Sequence, residues 1–202
     1  MDAVRGRRGA VARGLWRRLA AALVPDEWTT SVDAIDLRRL GRGGIRCLLV
    51  DIDNTLVAWG ASGPQALEEA RRFVERCRLE GLSVVLVSNA RAARRRWVAA
   101  ELGVPVVGGP KPRRAAFLRA LRLAGCQPHE AAVVGDQLWT DVFGGRRAGM
   151  YTILVQPLSP REHLGTRLGR MAERAVLGLL ARAGELPEAL VRARRSRCVR
   201  GT

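Results

Sequence analysis

Five short apolar runs punctuate the chain, near residues 45–51, 82–88, 104–107, 131–135 and 151–155. The run that ends at Val50 is nearly continuous in apolar residues rather than alternating, the pattern of a parallel strand buried on both faces. Between the runs lie segments that read as helices, near 63–80, 91–102, 112–125 and 140–148. The first of these opens with a capping-box start at Ser62-Gly63-Pro64-Gln65, has proline near its first turn, and stops at Gly81. Alternating strands and helices predict an α/β fold: a mostly parallel, five-stranded sheet with helices on both faces. No internal repeat is present.

The residues just past these runs change the picture. The first run closes on Asp51-Ile52-Asp53-Asn54-Thr55. Asp, Asn and Thr are common turn formers, so a plain turn is one reading. The other is a ligand site, because open α/β sheets bind ligands at the carboxyl ends of their strands. Two carboxylates so close repel each other and call for a compensating proton or cation, and Mg2+ with its hard oxygen ligands would serve. The second run ends at Ser88-Asn89, and the fourth at Gly135-Asp136, with Asp141 five residues further on.

Lys111 follows the third run, inside Gly108-Gly109-Pro110-Lys111-Pro112. It is the one lysine among 35 lysines and arginines. An ammonium kept where every other cation is a guanidinium suggests a need for a compact point charge, as a phosphate oxygen would impose. Taken together, four successive strand ends present Asp/Asp, Ser, a post-strand Lys, and Asp/Asp.

This set resembles the haloacid dehalogenase (HAD) superfamily, whose motifs run DxDxT, Ser, Lys and GDxxxxD. Within it the chain is similar to the subfamily IIIA phosphatases of the YqeG type, a group related to mitochondrial phosphatidylglycerophosphate phosphatase. Further likeness lies in Trp59-Gly60, Thr140-Asp141-Val142, Gly144-Gly145-Arg146 and Thr152-Ile153-Leu154-Val155. It extends over about residues 24 to 175. Ala90 is the one local departure, at a position where relatives often carry Asn.

The resemblance implies a three-layer, Rossmann-like HAD fold and a Mg2+-dependent phosphomonoesterase working through an aspartyl-phosphate. Asp51 would be the nucleophile. Asp53 would protonate the leaving oxygen and then activate water. Ser88 and Lys111 would hold the phosphoryl oxygens, with Asn54, Thr55 and Asn89 completing the phosphate-binding set; Thr55 and the Asn54 amide would also orient the nucleophile loop. Mg2+ would be bound by Asp51, Asp136 and the main-chain carbonyl of Asp53, while Asp141 would support the metal or orient Lys111.

Family cap domains enter just after the first motif or before the lysine. Here both connections are short, so no cap domain is expected and the site should be open. An open site suits a large or membrane-held phosphoester better than a small metabolite that needs enclosure.

Composition adds bounds. A hydrophobic content of 48% is ample for a core. The longest uncharged stretch, residues 148–160, contains prolines and is shorter than the ~18 residues of a membrane span. Cys47, Cys77, Cys126 and Cys198 form no CxxC pair and read as reduced thiols. His129 and His163 read as surface residues. Trp59 and Trp139 follow the first and fourth motifs closely and either line the mouth of the site or pack into the core.

Net charge is +16, with arginines crowded at both ends. Residues 11–24 place Val11, Leu15, Leu19 and Leu23 on one face of a basic amphipathic helix, a form suited to an anionic membrane surface. A second candidate helix runs over 161–183, with Leu164, Leu168, Met171, Ala175 and Leu179 on one face; for both helices the other reading is packing on the sheet edge with the arginines solvated. These features divide the chain into a basic N-terminal segment (1–24), a phosphatase domain (25–185) and an Arg-rich tail (186–202).

The apolar core at residues 19–24 is too short for a signal peptide, so the expected location is cytoplasmic, with peripheral contact at the inner face of the membrane. Three functions follow from these observations. The first is a phosphatase of a phosphorylated lipid headgroup, phosphatidylglycerophosphate above all. The second is a phosphatase of nucleotides, sugar phosphates or nucleic-acid ends. The third is an RNA- or ribosome-associated binding protein on a HAD scaffold, since basic ends also attract RNA. Oligomeric state is open.

Overall fold

The structure is a computed structural model and describes residues 22–159. A single sheet of six parallel strands runs through it: β1 (Glu27–Thr29), β2 (Cys47–Val50), β3 (Ser83–Ser88), β4 (Val106–Gly108), β5 (Ala131–Gly135) and β6 (Tyr151–Val155). Their spatial order is β1-β6-β5-β2-β3-β4. Central β2 pairs with β3 on one side, Leu48 facing Val84, and with β5 on the other, Leu48 facing Ala132.

Alternate residues of each strand enter two separate cores. Leu48, Val50, Val84, Leu86, Ala132 and Val134 face a cluster built on Phe73 of α2 (Glu68–Leu79), together with α1 (Leu37–Arg42) and α3 (Ala92–Leu102). Cys47, Leu49, Val85, Val87, Ala131 and Val133 face Phe117 of α4 (Arg114–Ala124) and Ala148, next to α5 (Phe143–Arg147). Both phenylalanines are fully buried. A strand covered on both sides needs apolar residues at every position, which is why these runs do not alternate.

The sheet has six strands, not the five expected. β1 is only three residues long, Glu-Trp-Thr, and carries no apolar run. It is held at the edge by β6 and by Asp26, whose carboxylate accepts from the Thr152 main-chain N–H at 2.9 Å and the Thr152 hydroxyl at 2.8 Å. Helix α1 was likewise unannounced.

The expected capping box at Ser62 is absent. Gly63 precedes a 3-10 turn over Pro64–Leu67, no side chain caps it, and the α-helix starts only at Glu68. The stop at Gly81 is present: φ is +72° there, and the Leu82 N–H returns to the Cys77 carbonyl at 2.8 Å. The segment expected as one helix over 140–148 is a π-helical turn, Leu138–Val142, that runs into α5.

The connections that could hold a cap are short among the described residues. Gly109 and Pro110 alone separate β4 from Lys111, and a loop and one 3-10 turn link β2 to α2. Most of the N-terminal amphipathic segment, the helix expected over 161–183, the Arg-rich tail, His163 and Cys198 lie outside the described residues.

Candidate active site

Strand order creates the site. From β2 the chain steps outward through β3 to β4, then returns to β5 on the other flank of β2 and continues to β6. The carboxyl end of β2 is therefore the switch point of the sheet, where loops part and leave a crevice. Asp51 stands directly after β2, Ser88 ends β3, Lys111 follows β4, and Asp136 follows β5.

Four charged groups meet there. Lys111 Nζ lies 2.7 Å from Asp51 Oδ1 and 2.7 Å from Asp141 Oδ1. Carboxylate oxygens of Asp51, Asp136 and Asp141 lie within 4.8 Å of one another. All four side chains are buried. Thr55 Oγ1 donates to Asp136 Oδ1 at 3.2 Å, and the Gln137 N–H donates to Asp141 Oδ2 at 3.2 Å.

The loop after Asp51 is tightly wound. The Ile52 carbonyl accepts from Leu56 and Val57, and the Asn54 N–H donates to the Val57 carbonyl at 2.7 Å. Asn54 takes φ +62°, a conformation that Asn tolerates better than most residues. Its side-chain oxygen accepts from the Trp59 N–H at 3.0 Å, closing the loop.

The other expected site residues are engaged as follows. Ser88 is buried and its hydroxyl accepts from the Ala90 N–H at 3.1 Å. Asn89 grips the main chain of Lys111, accepting from its N–H at 2.8 Å and donating to its carbonyl at 3.4 Å. The Asn89 side chain thus holds the lysine loop in place. The Asp53 carboxylate lies outside the acidic triad and accepts from Arg94 Nε at 2.6 Å.

Electrostatics follow from burial. Burial disfavours the Lys111 ammonium, yet Asp141 and Asp51 outweigh it and hold the amine charged well above the ordinary lysine range. Burial drives Asp141 upward, Asp51 and Asp136 add to the shift, and Lys111 opposes it. Burial likewise raises Asp53 against the pull of Arg94. With all three carboxylates ionised, the set carries two negative charges beyond the Lys111 ammonium, which a divalent cation would balance; without one, the raised Asp141 eases the repulsion by holding a proton more readily. Clustered hard oxygen donors are what Mg2+ or Ca2+ takes.

Gly135 shows why this motif begins with glycine. A Cβ there would stand 2.2 Å from Asp141 Cγ and 2.2 Å from Asp141 Oδ2. The close approach is what lets Asp141 reach back across the strand end to Lys111.

Trp59 and Trp139 are 39% and 51% exposed, so core packing does not apply to either. Trp139 stacks on Phe143 with ring centroids 4.7 Å apart. A cavity of about 460 Å3 lies at the opposite edge of the sheet, beside Ile45, His129 and Met150. Its Arg39 and Arg146 are bound to Glu27 and Asp26, so it offers no comparable chemistry.

The sequence reading missed Arg94. With 34 arginines in the chain and several in residues 91–96, composition hid the one that, among the described residues, reaches Asp53. A position at the first turn of the helix after Ser88 was the available signal.

The haloacid dehalogenase-like hydrolase profile matches residues 57–149. The chain is 35% identical over 164 residues to the probable phosphatase YqeG of Bacillus subtilis (strain 168), covering 81% of this chain and 94% of that protein. It is 30% identical over 161 residues to the chloroplastic/mitochondrial phosphatidylglycerophosphate phosphatase 1 of Arabidopsis thaliana, covering 73% of this chain but only 44% of that one. A solved HAD phosphatase from Thermococcus onnurineus superimposes with a TM-score of 0.43 at 18% identity, over 59% of this chain and 90% of that chain. The chain, with its Asp, Ser, Lys and Gly-Asp at four neighbouring strand ends, belongs to the haloacid dehalogenase-like hydrolases as a phosphatase of that family.

Proposed function

We propose that this phosphatase hydrolyses the terminal monoester of a phosphorylated lipid headgroup, phosphatidylglycerophosphate, through an aspartyl-phosphate on Asp51. The observation that carries the mechanism is Lys111 Nζ at 2.7 Å from both Asp51 and Asp141, with Asp136 completing a buried acidic triad. The lipid is supported by the short connections where a cap would enter and by the name of the Arabidopsis relative.

In this reading a carboxylate oxygen of Asp51 attacks phosphorus, and covalent catalysis splits one hard displacement into two easier ones. Lys111, anchored by Asp141 and by the Asn89 clamp on its main chain, neutralises charge that spreads over the phosphoryl oxygens. The Ser88 hydroxyl and the main-chain N–H groups of Ile52 and Asp53, which the internal bonds of the loop leave unused, would supply further donors. Asp53 gives its proton to the leaving oxygen, then takes one from the water that cleaves the aspartyl-phosphate.

Asp51 and Asp136, with the Asp53 carbonyl, would hold Mg2+, and Asp141 would support them. When bound, the ion would supply charge neutralisation between nucleophile and phosphate. The exposed Trp59 and Trp139 would meet the lipid beyond the phosphate, and the basic ends would bring the open site to an anionic bilayer.

Phosphate release from phosphatidylglycerophosphate in mixed micelles, with and without Mg2+ and beside Asp51→Asn, tests this. The expected result is metal-dependent release that the substitution abolishes. Asp51-dependent release from p-nitrophenyl phosphate with none from the lipid would keep the mechanism and remove the substrate.

A further inference from the structure

We propose that Arg94 is a positioning residue for Asp53: it holds one oxygen of that carboxylate so that the other is presented to the leaving group. The role rests on the acid–base reading of Asp53 given above.

Arg94 sits in the first turn of α3 and reaches across to the loop after β2. Its Nε donates to Asp53 Oδ1 at 2.6 Å, and its Nη1 donates to the Ala61 carbonyl at 2.8 Å. These contacts join residues 41 and 33 positions apart. The two side chains are only 22% and 14% exposed, so water competes weakly for the pair.

The remaining nitrogen is informative. Arg94 Nη2 is buried and finds no hydrogen-bond partner among the described residues. A buried guanidinium N–H left unmatched is unfavourable, so the two bonds that Arg94 does make dictate its placement. The Nε and Nη2 edge of a guanidinium matches both oxygens of a carboxylate. Here only Nε is engaged and Asp53 is gripped by Oδ1 alone. The grip limits rotation of the carboxylate, while Oδ2 has no hydrogen-bond partner among the described residues.

That arrangement suits a group that must act twice. In the first half-reaction the bond from phosphorus to the leaving oxygen breaks, the Asp51–phosphorus bond forms, and the Asp53 proton passes to the leaving oxygen. In the second, water oxygen bonds to phosphorus, the Asp51–phosphorus bond breaks, and Asp53 takes the proton that water loses. Both transfers need the same oxygen at the same place.

The test is a leaving-group comparison by quenched flow on wild type, Arg94→Met and Arg94→Lys. An alkyl monoester, phosphatidylglycerophosphate or glycerol 3-phosphate, needs its leaving oxygen protonated. p-Nitrophenyl phosphate does not. Arg94→Met should slow first-turnover alcohol release from the alkyl ester by about 100-fold, while first-turnover p-nitrophenol release stays within about threefold. KM should change little, and Arg94→Lys should recover about tenfold of the alkyl loss.

Equal slowing of both esters would reduce Arg94 to a strut between α3 and the loop, and no slowing of either would remove the role; both overturn the proposal. If Arg94→Met does not melt cooperatively, the same comparison on Arg94→Lys decides: alkyl-selective slowing sustains the proposal and any other pattern ends it. Wild type that turns over neither ester would instead overturn the phosphatase mechanism itself, and the role of Arg94 with it.

Discussion

Gly135→Ala isolates the geometry of the charged cluster without changing a single charge. Gly135 ends β5 with ordinary backbone geometry, so the substitution brings no conformational strain; its effect is steric. The new Cβ would stand 2.2 Å from Asp141 Cγ and Oδ2 and 2.5 Å from Asp141 Cβ. Carbon atoms rest at about 3.5–4.0 Å, so the Asp141 side chain must retreat by more than about 1 Å. A retreat of that size stretches the 2.7 Å Lys111–Asp141 bond and the 3.2 Å bond from the Gln137 N–H beyond hydrogen-bond range.

Overpacking of this kind costs about 1–3 kcal/mol of stability, and misplacing a catalytic group by about 1 Å costs about 100-fold in rate. The assays are a thermal melt and Mg2+-dependent phosphate release. The expected outcome is a melting temperature lowered by several degrees and kcat/KM reduced by about 100-fold. Gly81→Ala is the control. That residue has φ +72° with no atom within 4 Å of the added Cβ, and it precedes β3, at the opposite end of the strands from the charged cluster. It should cost about 1–2 kcal/mol of stability and leave turnover intact. Full activity in Gly135→Ala would refute the inference that the Asp141–Lys111 contact organises the site.

Three further outcomes are expected. Lys111→Met removes the cation between two buried carboxylates and should lower stability by about 3–5 kcal/mol at neutral pH in urea denaturation, with turnover lost; unchanged stability would mean that the lysine does not compensate Asp51 and Asp141. Mg2+ at 100 times its dissociation constant should stabilise the fold by about 2.7 kcal/mol, and Asp136→Asn should abolish that shift in a thermal titration; a shift that survives would move the metal elsewhere. Burial pushes the Cys47 thiol up to about 11 and the Cys77 thiol up to about 12 from an ordinary 9.0. Raised folded values mean that the stability each contributes is whole below about pH 9 and falls as pH rises towards 11–12, by about 1.4 kcal/mol per pH unit per thiol. Iodoacetamide at pH 8 should therefore spare both residues in the folded protein, and their prompt alkylation would show that the two cores open to solvent.

Much of this molecule was legible in its sequence because the relevant signals are local. A strand buried on both faces announces itself by unbroken apolar residues, as at Leu48-Leu49-Val50 and Ala131-Ala132-Val133-Val134. Residues just past such strands fall at one edge of the sheet whatever their order. Asp51, Ser88, Lys111 and Asp136 could therefore be picked out together before any contact between them was known.

What escaped was of another kind. β1 exists because Asp26 and the edge of β6 receive it, and no property of Glu-Trp-Thr says so. Ser62 looks like a cap, yet Gly63 at φ +88° and Pro64 turn the chain into a 3-10 turn first. Trp59 and Trp139 were open between core and surface, because an aromatic residue beside a motif fits either until its neighbours are known.

The sequence by itself determined the α/β class, the sites where strands end, and the set of residues available for chemistry, since each depends on composition and spacing within a few residues. The tertiary structure alone decided the strand order that makes β2 the switch point and the convergence of Asp51, Lys111 and Asp141. It also decided which arginine, among the described residues, touches Asp53. Those contacts span 30 to 60 residues of chain. Their energies depend on burial and distance, and neither is defined until the sheet has closed its two cores.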